Sequence, residues 1–430
     1  MLGQVLGLAE GVGSRSVTQW SRPFWIGLPW SGRAAEGGPM IFDIDSHFEP
    51  GRGWLDSYPK LKTKLPPLDS ASIAVEGIAG DLLRMLPELE RPSNEDLAPP
   101  GAAILFGKEK AAEADRRAEF EGRSQRSFAD AAGRVKWLDE QGIDLQNVIC
   151  LAGFGYELAI GEGDLPLLRE VVGACNDWLA DTCDEAGGRL LPVATLEYSD
   201  LDWTIAELTR MRARGSRIFM IPGYPVGGIP PCHPHWDRLW SASVDLGMTP
   251  MLHIGLERMD FNPGWANLGT DTTRLRYFAS SFGHVGAQML INSFIFNGVF
   301  ERHPKLTVLF AELGTGWLPY IYRDIDGRLT PSSQLFLGKY DLPLKPSEYL
   351  ARNVRASPLS WSRDQPLLQT MEELPEDMLV FSSDFPHFEG FTDPMGYYAE
   401  QLGSLSQRQR DRFYGGSMLD VYARMGDPIE

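Results

Sequence analysis

The chain has little cysteine, no long apolar run and no surplus of positive charge. Its four cysteines, Cys150, Cys175, Cys183 and Cys232, show neither CxxC spacing nor a dense framework. That excludes a disulfide scaffold and a clustered thiolate metal site, and fits idle thiols in a reducing cytoplasm. No apolar stretch approaches the roughly 18–20 residues needed to span a bilayer, so no membrane role is expected. A formal net charge of −18 argues against nucleic acid and anionic membrane surfaces as partners.

What is present is enough for a large core: 430 residues, 43% of them hydrophobic. Residues 1–39 stand apart, rich in Gly, Ser and Trp and without a sustained period. No Lys or Arg precedes "MLGQVLGLA" and no small-residue cleavage site closes it, so a secretory signal is not expected. Met40 directly precedes the first strand pattern, which makes it the expected natural start, or makes residues 1–39 a loose extension. The main domain is then 40–430.

Short apolar runs recur along that domain: "MIFDIDSH", "IDLQNVICLAG" from Ile143, "RLLPVATL" from Arg189, "SRIFMIPG" from Ser216, "TPMLHIG" from Thr249, "LTVLFAELG" from Leu306, "VRASPLSW" from Val354 and "MLVFSSDFPH" from Met378. Buried parallel strands read this way, and the seventh run is the least regular. Amphipathic stretches separate them. "LPLLREVVGACNDWLADTCDEAG" and "DLDWTIAELTRMRARG" carry apolar residues at helical spacing, the latter with Asp200 or Asp202 to cap it. "GAQMLINSFIFNGVFERHP" reads as one helix stopped by Pro304. The alternation predicts a distorted (β/α)8 TIM barrel. Residues 51–130 are too long for an ordinary βα loop and read as an insertion after strand 1, a lid or dimer arm. Leu329 to Leu350 reads as a second, irregular excursion.

"FDIDSHFEP" puts Asp43, Asp45 and His47 on one face of a strand, because side chains alternate. Unpaired buried carboxylates cost several kcal/mol, so these groups need partners. A metal ion near the open end would satisfy Asp45 and His47, with Asp43 deeper and tied to backbone or a neighbouring strand. His253, Glu312 and Asp384 stand at the tips of the fifth, sixth and eighth runs, where barrel enzymes keep their chemistry. Imidazoles with carboxylates suit a divalent ion, zinc first, with iron and manganese as alternatives.

Together "FDIDSHFEP", "MLHIG", "NGVFERHPKLTVLFAELGTGWLPYIYRDID" and "VFSSDFPHFEG" resemble the amidohydrolase superfamily. The closer resemblance is to its amidohydrolase-related branch, which includes aminocarboxymuconate-semialdehyde decarboxylase-like proteins. It runs from Met40 to about Tyr422, apart from the insertion. It implies a metal-bearing barrel, often in a homo-oligomer. It also implies that Asp45 stands for the first His of the usual His-x-His, that His47 and His253 match later ligands, and that Asp384 matches an aspartate that binds metal and acts as base. Decarboxylases of this branch carry a catalytic His at the sixth tip, where this chain has Glu312.

That departure sets the functional expectation. A glutamate there would repel a substrate carboxylate, and at its reference pKa of about 4.3 it is a poor acid near neutrality. A hydrolase acting through a metal-activated water on a C–C, thioester, ester or amide carbonyl is therefore expected, with Asp384 and Glu312 as catalytic groups. The alternative is a non-oxidative decarboxylase of an aromatic or dienoic acid. One ion would use Asp45, His47, His253 and Asp384; a second would bring in Glu312 and His284. His387 reads as a loop or pocket residue, and Glu49 as a contact at the turn. Phe154, Tyr156, Tyr224 and Trp361 could line a pocket for an apolar or aromatic acyl substrate, with Arg258 holding a carboxylate.

Overall fold

The computed structural model describes residues 39–48, 50, 54–65, 130–257, 278, 281–358, 367–387, 390–391 and 393–429. Glu49, Arg258, Trp361, most of the expected insertion 51–130 and nearly all of residues 1–39 lie outside them.

Seven parallel strands follow one another in sequence order: β1 (Phe42–Asp43), β2 (Leu145–Val148), β3 (Leu190–Ala194), β4 (Ile218–Met220), β5 (Thr249–His253), β6 (Val308–Ala311) and β7 (Val354–Ala356). The register runs Phe42↔Leu145, Gln146↔Leu190, Val193↔Ile218, Met220↔Met251, His253↔Ala311 and Phe310↔Ala356. Every strand residue is buried, as both faces of a helix-covered parallel sheet must be.

The eighth run closes the ring without regular pairing. Val380 N donates to Ala356 O on one side, while Ile44 N donates to Phe381 O and His47 N to Phe385 O on the other. The loss of regularity has a cause: Asp384 has a positive φ of 51° and Pro386 offers no N–H. The seventh run, whose pattern is the least regular, forms only the short strand Val354–Ala356.

Helices fall where the caps dictate. Asp164 accepts from Leu167 N ahead of Leu165–Asp184, and Asp200 from Asp202 N and Trp203 N ahead of Leu201–Ala213. The expected single helix before Pro304 is broken. It runs Gly283–Phe296, turns at Gly298 with φ 69°, and resumes as Val299–Arg302. Part of the expected irregular excursion is also helical: Pro331–Leu337, then Pro346–Asn353. All four cysteines are buried and none forms a disulfide. Among the described residues no helix is long and apolar enough to cross a membrane.

Candidate metal centre

The polar tips of β1, β5, β6 and the closing segment meet in one buried volume. Asp45, His47, His253, Glu312 and Asp384 each expose 3% or less of their surface. His253 Nε2 lies 3.1 Å from Glu312 Oε2 and 3.6 Å from Asp45 Oδ1. His47 Nε2 lies 3.0 Å from Asp384 Oδ1 and 3.5 Å from Asp45 Oδ1. In two groupings the ligand atoms all come within 4.8 Å of one another: Asp45, His47, His253, Glu312, and His47, Glu312, Asp384, His387.

The backbone is bent to deliver the acids. Glu312 (φ 62°) and Asp384 (φ 51°) are the non-glycine residues with positive φ among those described. Such a conformation costs on the order of 1–3 kcal/mol and persists only where the surroundings impose it. For Asp384 the restraint is visible: its N–H donates to Asp45 O at 2.8 Å, and its carbonyl accepts from His387 N at 2.9 Å.

Below the cluster, Asp43 acts as support. Its carboxylate accepts from Asp45 N, Ser383 N, Ser383 Oγ and Gln146 Nε2. One side chain therefore ties β1 to β2 and to the closing segment. Burial still pushes its pKa up to about 7, because four hydrogen bonds only partly replace water.

A metal ion fits this donor set. Both carboxylate oxygens of Asp45, and Nε2 of His47 and of His253, are buried and make no hydrogen bond of good geometry. A cation that accepts their lone pairs removes a cost of several kcal/mol. His253 is already oriented for it: Nδ1 lies 2.9 Å from Ile254 O, which turns Nε2 toward the cluster. Burial first, then His387, His253 and Arg134, hold His47 well below the ordinary imidazole value, which keeps it a neutral donor. For His253, burial pulls downward, but Asp45 and Glu312 beside it push it well above the ordinary value. Burial and the charge of Asp384 raise Glu312 to about 7 against the opposing pull of His253.

Not every residue singled out in the sequence arrives here. His284 opens the helix Gly283–Phe296, partly exposed, and belongs to neither grouping. Phe154 and Tyr156 are buried, while Tyr224 Oη is 3.4 Å from Glu157 Oε1. His387, read as a loop or pocket residue, enters the second grouping. Its ring stacks on His47 at 3.6 Å and its Nδ1 lies 3.2 Å from Asp384 Oδ1. Its spacing, Asp-x-x-His at the eighth tip, was the available signal. Arg134, Gln146 and Ser383 carried none, because nothing local in their sequence separates them from surface polar residues.

A barrel that gathers carboxylates and imidazoles at the carboxyl ends of its strands defines a metal-competent barrel enzyme. The family model described as "Amidohydrolase" matches residues 129–422, and the chain belongs to that family, in its amidohydrolase-related branch. A curated relative, the gamma-resorcylate decarboxylase of Rhizobium sp. (strain MTP-10005), is 24% identical over 240 residues, 50% of this chain and 66% of that protein. The match thus spans just under two thirds of that relative's length. The crystal structure of an amidohydrolase from Mycobacterium avium subsp. paratuberculosis K-10 superposes with a TM-score of 0.64 at 20% identity, covering 90% of this chain and 98% of that one. A 5-carboxyvanillate decarboxylase from Novosphingobium aromaticivorans, with bound manganese, superposes with a TM-score of 0.60 at 18% identity, covering 90% and 98%.

The Rhizobium relative corrects the expectation of a hydrolase, since it is named a decarboxylase, as is the manganese-bound neighbour. The expectation failed on its physical premise. It gave Glu312 a reference pKa, whereas burial and Asp384 raise that carboxyl to about 7. Buried beside Asp384 and 3.1 Å from His253 Nε2, the Glu312 carboxyl is not the free, ionised glutamate that the expectation assumed. Zinc as first choice of metal finds no support either, because the metal bound in the neighbour is manganese.

Proposed function

We propose that this protein is a divalent-metal-dependent, non-oxidative decarboxylase of a hydroxylated aromatic carboxylic acid. One observation carries the reading. Asp45, His47, His253, Glu312 and Asp384 converge on one buried volume at the strand ends, in a chain whose curated relatives are decarboxylases. Asp45, His47, His253 and Asp384 would hold the ion. The two groupings share His47 and Glu312, which favours one ion over two. Nitrogen and oxygen donors without thiolate suit manganese, the metal of the similar decarboxylase. When bound, the ion supplies positive charge that orients the substrate's carboxylate and neighbouring phenol oxygen.

The chain's own residues do the rest. Glu312, the carboxyl left outside that ligand set, stands buried beside His253 and Asp384 and carries the proton. That proton goes to the ring carbon bearing the carboxylate. The bond from ring to carboxyl carbon then breaks, its electron pair restores aromaticity, and carbon dioxide leaves. The donor is left as a carboxylate and regains its proton from water. Burial of the whole set keeps bulk water from competing for the proton.

The test is carbon dioxide release by manganese-loaded protein from gamma-resorcylate, 5-carboxyvanillate and related hydroxybenzoates. Release that stops on chelation and returns with manganese supports the proposal. Stable manganese binding with no release from any such acid would overturn it.

A further inference from the structure

Arg134 is a fully buried cation outside the cluster. It lies on the helix Ala131–Gln141, which precedes β2, and exposes 0% of its surface. A guanidinium taken wholly out of water costs several kcal/mol unless its geometry returns that energy. Here the fork is used on two fronts. Nη2 donates to His47 O at 2.6 Å, and Nη1 donates to Gln146 Oε1 at 2.6 Å and to Ser46 Oγ at 3.2 Å. Gln146 passes the connection on, donating to Asp43 Oδ2 at 2.8 Å, and Asp43 in turn holds Ser383 N at 3.0 Å.

The plane of the guanidinium faces two rings. Its central carbon lies 4.4 Å from the centroid of Phe48 and 5.0 Å from that of Phe385. Phe48 directly follows His47, and Phe385 directly follows Asp384. The same helix adds Trp137, stacked on Phe385 at 3.9 Å. One side chain therefore grips the residues next to both members of the His47–Asp384 contact, which come from chain ends over three hundred residues apart.

We propose that Arg134 is a positioning residue. It clamps the end of the first strand to the closing segment and so sets the spacing of His47 and Asp384 for metal binding. The inference rests on the metal-site reading above. Lysine cannot replace it, because a single ammonium lacks the planar fork that reaches two acceptors while lying against two rings.

The test is Mn²⁺ titration by equilibrium dialysis of chelator-treated full-length protein, with the melting temperature of each variant measured before metal is added. Arg134→Lys and Arg134→Met are compared with Trp137→Leu, which loosens the same helix against Phe385 but leaves the fork intact. Manganese affinity is expected to fall about 10–100-fold in the Arg134 variants, the usual effect of losing a group that orients ligands. It should hold at the wild-type value in Trp137→Leu, even where that variant melts as low as Arg134→Lys. Arg134→Lys keeps the charge and carries the test should Arg134→Met not fold. Wild-type affinity in Arg134→Lys would overturn the proposal, as would an equal loss in Trp137→Leu, which would reduce the effect to packing. Failure of the wild type to bind Mn²⁺ would instead remove the metal site itself.

Discussion

At the scale of single residues, the proposed reaction turns on Glu312. Glu312→Gln keeps the shape and removes the proton. Turnover of a decarboxylated acid is expected to fall by roughly 10²–10⁴-fold, the usual span for losing a general acid, while manganese content stays near wild type. Steady-state kinetics alongside metal analysis checks both halves, and a variant that turns over normally would remove Glu312 from the mechanism. His253 gives the pH dependence. Its neighbours raise it well above the ordinary imidazole value, so in chelator-treated protein it keeps its proton until the pH passes that raised value. The proton must leave before Nε2 can bind a metal, so manganese affinity should rise with pH above about 6.5 and binding should release protons. Calorimetry in buffers of different ionisation enthalpy reads this directly; affinity that is flat or falls with rising pH would contradict it. At this scale the sequence was informative where geometry is local. Alternation in β1 and the polar tips of the apolar runs pointed to Asp45, His47, His253, Glu312 and Asp384. It was silent on Glu312's ionisation, because that depends on burial and on Asp384, 72 positions away by number but within 4.8 Å in space.

Strands and helices were legible wherever one short pattern decides them. Asp200, one of the two cap candidates, caps its helix, and seven of the eight apolar runs became β1 to β7. The misreadings came from backbone conformations that residue types do not announce. Gly298, with φ 69°, splits what looked like one helix. Asp384, with φ 51°, keeps the closing segment from regular pairing. That segment depends on Asp43 instead. Asp43→Ala would strand Ser383 N and Asp45 N and leave Gln146 Nε2 and Ser383 Oγ only their long 3.4 Å contact with each other, all buried. With each unsatisfied donor costing about 1–3 kcal/mol, a loss of about 3 kcal/mol or more is expected in chemical denaturation. A change below about 1 kcal/mol would show that Asp43 does not join the elements.

For the whole molecule, the order of parallel strands and the placement of chemistry at their carboxyl ends followed from pattern alone. The reaction did not, because fold does not dictate chemistry and the deciding residues act through their burial. A site whose buried lone pairs await a cation should also couple metal to global stability. At manganese a hundred times its dissociation constant, the folded state gains about 2.7 kcal/mol, and the melting temperature of chelator-treated protein should rise accordingly. An unchanged melting temperature at saturating manganese would mean that the cluster is not the binding site. The central claim is that a proton replaces a carboxyl group on an aromatic ring. The most direct measurement is turnover of a hydroxybenzoate by manganese-loaded protein in D₂O, followed by mass spectrometry and NMR. The account predicts one deuterium on the ring carbon that lost its carboxylate for each carbon dioxide released. Product formed by addition of water, with the carboxylate retained and no deuterium on the ring, would contradict it.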